Sequence, residues 1–191
     1  MNFLNEVEEG MKGRYTGLQT GLSRFSKFIN GIQKKTYYAV GAQPKSGKTS
    51  LVDECFVLGP YLHNKKAKIK WLYFSPEVDR LEKMAKYTAY FMDYKYGIYC
   101  DSNYILSRGE NKLKEGHKPL IDEIYNNELK DLFGPDRKID FIEDRVNPEG
   151  IRRYLLDYAD QNGEFKTETY VKDGEKREKI IAYKENDPDL Y

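Results

Sequence analysis

Between an apolar run, Thr36 to Gly41 (TYYAVG), and a helical pattern beginning at Lys48 stands the octapeptide Ala42-Gln43-Pro44-Lys45-Ser46-Gly47-Lys48-Thr49. Its spacing is that of a phosphate-binding loop, with Ala in place of the usual first glycine. A loop of this kind needs a strand to deliver it and a helix whose first turn it opens, so it restricts the chain to α/β architectures. Its backbone N–H groups, with the positive end of the helix, wrap a polyphosphate. Gly47 lets the backbone approach closely because no Cβ intervenes. Lys48 is placed to reach β- and γ-phosphates, and Thr49 offers a hydroxyl to Mg²⁺. Pro44 removes one donor and stiffens the loop, and Ser50 completes the candidate binding set in the helix's first turn. The competing reading is a solvated turn before a helix. Ala42 is a further test, since a positive φ there would suit alanine poorly.

The rest of the chain supplies matching elements. Leu18, Leu22, Phe25, Phe28 and Ile29 recur at helical spacing, and Asn30-Gly31 stops that helix. Thr36 to Gly41 reads as a short buried strand. A helix from Lys48 to about Leu62 carries Leu51, Val52, Cys55, Phe56 and Leu58 and is weakened at Gly59-Pro60. Ile69 to Ser75 (IKWLYFS) is apolar almost throughout, which predicts a strand buried on both faces, as in a parallel sheet. Helices follow over 80–94 and 119–133, then a strand over 139–142. Asn147-Pro148-Glu149 opens a helix over 150–159. Segments 166–172 and 179–184 form a hairpin around Asp173-Gly174. The polar stretch 95–118 receives no assignment. Residues 1–15 form a flexible segment, because Met1 to Gly10 offers few apolar anchors. Residues 16–191 then form one three-layer α/β domain with right-handed crossovers.

Composition narrows the function classes. Hydrophobic residues make up 39% of the 191 and the mean hydropathy is −0.80. A core can therefore form beneath a heavily solvated surface, which excludes collagen-like, mucin-like and wholly disordered chains. Two cysteines, Cys55 and Cys100, and two histidines, His63 and His117, do not make a disulfide framework or a zinc site. The expectation is a reduced, cytoplasmic protein. No apolar run approaches the ~18 residues of a membrane span, and the N-terminus lacks the organisation of a secretory signal. The net charge of +1 hides an asymmetry. From Gly10 to Val52 there is no Asp or Glu, and that stretch carries a charge of +8. Such a field attracts phosphates; for Lys12 to Lys27 alone, an ordinary solvated face is the other reading.

Glu77 lies just beyond the strand Ile69 to Ser75, and ligands of open α/β sheets bind beyond the carboxyl ends of strands. A carboxylate there can orient and polarise an attacking water. The alternative is an acid that favours the positive end of the helix at Arg80. Glu143 and Asp144 follow the third strand in the same way. They invite a Mg²⁺-orienting role, against a plain solvated strand end.

With these residues assembled, TGLSRFSKFINGIQKKTYYAVGAQPKSGKTSL resembles the core entry of the RecA-like hexameric helicases of the DnaB type. Thr20-Gly21-Leu22, Asn30-Gly31-Ile32 and Ala42 through Thr49 carry the likeness, and the Ala at the first loop position lies within that family's variation. YFSPEVDR resembles the family's second strand, which ends in a catalytic glutamate, and so assigns Glu77 that role. Ser107-Arg108-Gly109 resembles the segment before the third strand, and IDFIEDRVNPEGIRRYLLDYA the third strand with its helix. That mapping removes Glu143 and Asp144 from the Mg²⁺ role. The resemblance spans about Thr16 to Ala159. It implies an ATP-hydrolysing, Mg²⁺-dependent motor of a replicative DNA helicase, a homo-hexamer acting on single-stranded or forked DNA, with no membrane partner. The family's apolar fourth strand with its metal-orienting Asp, its DNA-contacting loops and its arginine finger have no counterpart here. The expectation is a partial RecA-like ATPase domain, with DNA contacts outside this chain, and the short N-terminus resembles viral or mobile-element members. The alternatives are another RecA-like ATPase, of recombinase or clock type, and a nucleotide-binding module that does not hydrolyse.

Overall fold

A computed structural model describes residues 3–13, 16–144, 147–172, 175–187 and 190–191. The chain is mixed α/β and divides into two compact units, Met1–Ile69 with Tyr191, and Lys70–Leu190.

The first unit is helical and held by close backbone contacts. Helix α1 (Phe3–Met11) leaves Phe3, Leu4, Val7 and Met11 exposed. Helix α2 (Ser23–Ile29) is shorter than its periodicity predicts. It ends where Asn30 and Gly31 take φ of 56° and 74°, and the Gly31 N–H donates to the Ser26 carbonyl at 2.7 Å. Leu18, expected in this helix, instead bridges Ile32 in antiparallel fashion. Gly17 and Gly31 make the bridge possible, since a Cβ on Gly17 would lie 2.5 Å from the Ile32 carbonyl oxygen. Thr20 is fully buried, and its N–H donates to Ser26 Oγ at 2.9 Å.

The helix after the phosphate-type loop runs as α3 (Lys48–Asp53), a π-helical turn (Glu54–Leu58) and α4 (Gly59–His63). Pro60 explains the wide turn. It has no N–H for the carbonyl four residues back, so the register loosens and the Gly59 N–H reaches Glu54 O. Cys55, Val57, Leu58 and Tyr61 are buried. Phe56 receives the rings of Phe25 and Tyr38 at 6.4 and 5.4 Å. Residues 36–41 correct the expected strand: they pair with no strand among the described residues, and five of the six are exposed. An extended segment without a neighbour has no ladder to fill its backbone groups, so these face solvent.

In the second unit, β1 (Trp71–Phe74) pairs in parallel with β2 (Ile139–Ile142), Tyr73 opposite Phe141. Parallel pairing requires a crossover. It is supplied by α5 (Arg80–Tyr96), α6 (Ser102–Ile105), α7 (Lys118–Ile124), a π turn (Tyr125–Leu129) and α8 (Lys130–Phe133). Side chains of a strand alternate between faces. On one face Tyr73 stacks on Phe141 at 5.2 Å, and Phe141 meets Phe133 of α8. On the other, Phe74 meets Tyr154 of α9 (Pro148–Asn162) at 5.4 Å. The parallel pair is thus covered by helices on both sides. Strand β1 is half-buried rather than buried on both faces as its sequence predicts, because only two strands share the faces. The core proper lies beneath α5, where Phe91, Met92, Ile124, Leu132 and Ile139 are completely buried. Each contributes about 1.5–3 kcal/mol of apolar transfer free energy.

Helix α9 leads into an antiparallel hairpin of β3 (Gly163–Lys172) and β4 (Glu175–Glu185), longer at both bases than expected and bulged between Lys166 and Thr167. The Asp173-Gly174 turn lies outside the described residues.

Candidate functional site

The loop before α3 takes its shape from local interactions. The Ser46 N–H and Oγ both donate to the Gln43 carbonyl, at 3.3 and 2.6 Å, closing a tight turn. Lys45 has φ of 61° and Gly47 φ of 82°, both left-handed. Lysine in that conformation costs about 1–2 kcal/mol, and strain of this kind gathers at binding loops. Ala42 has no positive φ, so alanine fits there without strain. Gly47 stands at the N-cap, Lys48 and Thr49 are the first helical residues, and the Leu51 N–H returns to Gly47 O at 3.0 Å. Residues Gly41 through Leu51 are all exposed. Among the described residues, Lys48 and Thr49 have no side-chain hydrogen bond or ion pair. An ammonium, a hydroxyl and a helix start are therefore presented together and unspent. The unit around them carries eleven Lys and Arg against five Asp and Glu, a net +6.

Glu77 belongs to the second unit, in the turn that follows β1. Ser75 is buried; its N–H donates to Ile142 O at 2.9 Å and its hydroxyl to Val78 O at 2.6 Å. These bonds fix the turn and leave Glu77 exposed at its apex. The helix-terminus role that competes for Glu77 is filled by other acids. Asp79 is the N-cap of α5 and accepts the Glu82 N–H at 2.8 Å. The Glu143 carboxylate accepts the Arg80 N–H. Among the described residues, Glu77 has no hydrogen bond or ion pair. The same geometry gives Glu143 a structural duty, whereas Asp144 stays exposed beyond β2.

Sequence reasoning missed two positioning devices. The first is the Asp79 cap, which the spacing Asp79-x-x-Glu82 signals as a capping pattern. The second is the clasp made by Glu82. It accepts from the Ser102 hydroxyl at 2.6 Å and pairs with the Arg108 guanidinium at 2.7 Å, tying the unassigned stretch 95–118 to α5. The Ser102 hydrogen bond, with Arg108 beside it, holds the Glu82 carboxyl below its ordinary value of 4.5. The second unit also has a polar cleft of about 540 Å³, lined by Asp157, Tyr158 and Gln161 among others. Lys70 and Asp140 in its lining are already paired at 3.0 Å.

Among the described residues, no group of three or more His, Cys, Asp or Glu is arranged to hold a metal, and no helix is long and apolar enough to cross a membrane. No protein-family model matches the chain, and neither a curated protein nor a solved structure matches it.

Proposed function

We propose that this chain is the nucleotide-binding part of a RecA-like, ATP-hydrolysing motor, of the kind that drives a replicative DNA helicase. The observation that carries the reading is the loop Gln43 to Thr49. Two left-handed residues turn it into a helix start, and Lys48 and Thr49 stand exposed and uncommitted. The helix-covered parallel pair of the second unit accords with a RecA-like sandwich. Under this reading the backbone of Gln43 through Ser50 cradles the phosphates, and Lys48 neutralises the β- and γ-phosphate charge. Thr49, with a free hydroxyl in the first turn, suits Mg²⁺, which binds through few protein oxygens together with substrate phosphates. The ion would neutralise charge on the phosphate oxygens. The sequence resemblance assigns Glu77 to hold and polarise the attacking water, a role consistent with a carboxylate that has no structural partner among the described residues. A homo-hexamer working on single-stranded or forked DNA is the setting that the sequence resemblance implies.

Nucleotide binding and turnover test the proposal. A fluorescent ATP analogue with Mg²⁺ should bind the wild-type chain and fail to bind Lys48→Ala. Glu77→Gln should bind normally and lose hydrolysis by at least about a hundredfold, the scale of a general base. Normal turnover in Glu77→Gln removes Glu77 from the base role. Binding without turnover in the wild type favours a nucleotide-binding module. Turnover indifferent to DNA in an assembly that contains the chain favours another RecA-like ATPase.

A further inference from the structure

We propose that the first unit carries a single-stranded nucleic-acid contact of its own, on the solvent face of α2. Two independent observations lead there. The first is the distribution of charge between the units. The first holds eleven basic residues against five acidic ones, and the second twenty-one against twenty-six, so +6 stands opposite −5 in a chain of net +1. Of the five acids in the first unit, three lie in α1 and Asp53 is buried, while residues 16–52 contain none. The segment that carries α2 therefore contributes only positive charge.

The second observation is what α2 turns toward water. Phe25 and Ser26 face inward, the one on Phe56, the other bonded to Thr20. Arg24, Lys27 and Phe28 stand three and four residues apart, which puts them on a single helix face. Phe28 is 86% exposed. Among the described residues, neither Arg24 nor Lys27 has an ion-pair partner. Tyr37, 90% exposed, stands beside Tyr38, whose ring packs on the same Phe56 that receives Phe25. An apolar ring left in water beside two cations with no ion-pair partner among the described residues, as Phe28 is, serves no core. Ring and cations match a single strand, whose bases stack on aromatic faces while its phosphates meet Lys and Arg. Duplex has its bases already stacked and gains nothing from Phe28, and an acidic peptide does not couple a flat ring to every charge as a nucleotide strand does.

This contact does not depend on nucleotide at the phosphate loop, and it differs from the reading above, in which DNA contacts lie outside the chain. The test is fluorescence anisotropy of the full chain, without nucleotide, with labelled oligothymidylate of about twenty nucleotides, a matching oligouridylate and a duplex. The single strands should bind more tightly than duplex. Phe28→Ala should weaken them at least about fivefold, the lower end of a lost stack, and Phe28→Trp should restore affinity. Arg24→Ala/Lys27→Ala should flatten the dependence of log affinity on log salt by about 0.7 for each cation that meets a phosphate. Far-UV circular dichroism and retained binding of the ATP analogue check that these variants fold. Absence of single-strand binding at low salt overturns the proposal. So does equal affinity for duplex, indifference to Phe28→Ala, or self-association of the chain through this face in sedimentation. Oligonucleotide binding without ATP-analogue binding would overturn only the nucleotide reading, and the reverse result only this one.

Discussion

Replacing Gly59 by alanine should damage the first unit far more than its place in a helix suggests. Gly59 has φ of −60°, a helical value that alanine adopts freely. On propensity alone, alanine should stabilise by about 0.5–1 kcal/mol. The added Cβ, however, would sit 1.9 Å from the Thr20 carbonyl oxygen, 2.4 Å from its carbon and 2.8 Å from Glu54 O. All three are backbone atoms, so no side chain can rotate away. Overpacking costs about 1–3 kcal/mol or somewhat more. Moving Thr20 also strains its bonds to Ser26, at 2.9 and 2.8 Å, each worth about 1 kcal/mol. The net expectation is a loss of about 2–3 kcal/mol. Hydrogen exchange of amides in 17–32 and 48–63 should read this as a roughly 30- to 150-fold loss of protection. Gly116→Ala is the control, because nothing lies within 4 Å of its Cβ position and its φ is not positive. It should stay within about 0.5 kcal/mol of the parent. If Gly59→Ala protects its amides as well as the wild type does, the close packing of this helix on Thr20 is refuted.

Two pH-dependent effects follow from the shifted groups. The folded pKa of Glu82 is depressed, chiefly by the Ser102 hydroxyl, so its contribution is complete above about 4.5 and is lost as pH falls through the lower folded value. Thermal melts should show Glu82→Gln less stable than wild type at neutral pH, with the gap closing in acid; a gap independent of pH removes Glu82 from this role. The Tyr183 phenol is pushed up to about 12, first by burial and then by its bond to Glu185 at 2.7 Å. A raised folded value means stability intact below the ordinary pKa of about 10 and lost as pH rises toward 12. Absorbance titration at the phenolate band should lose a component near 12 in Tyr183→Phe.

What the sequence discloses follows the range of the forces involved. Elements set by local pattern are legible: β2 falls on 139–142 as read, and α5 begins at Arg80 because Asp79 caps it. The hairpin is legible because alternation and an Asp-Gly turn are both local signals. Leu18 is misread because its helical spacing yields to a backbone bridge with Ile32, which two glycines allow and no periodicity reports. The π turn is half legible, since Gly59-Pro60 announces a disturbance without saying that the helix widens rather than stops. Strand 36–41 is misread for the opposite reason. Its composition is right, yet a strand is completed by its neighbours, and none of the described strands pairs with it.

The phosphate-type loop keeps its form although the segment before it forms no ladder, and this separates two requirements that its motif joins. The turn needs only Ser46 bonded to Gln43, a glycine at the N-cap and a helix that will not fray. Lys48 starts a helical run that extends to His63. Its far end is fixed by Gly59 on Thr20 and by Asn64, whose side chain exchanges two 2.9 Å bonds with the backbone of Gln19. The helix is thus anchored where it meets the core and free where it meets solvent, with its charged and hydroxyl groups at the free end. Phosphate affinity of the loop should therefore depend on the distant anchor. A Gly59→Ala chain in cold, stabilising buffer should bind the ATP analogue more weakly than wild type, with Lys48 and Thr49 untouched. Unchanged affinity would show that the loop holds its shape without the helix behind it.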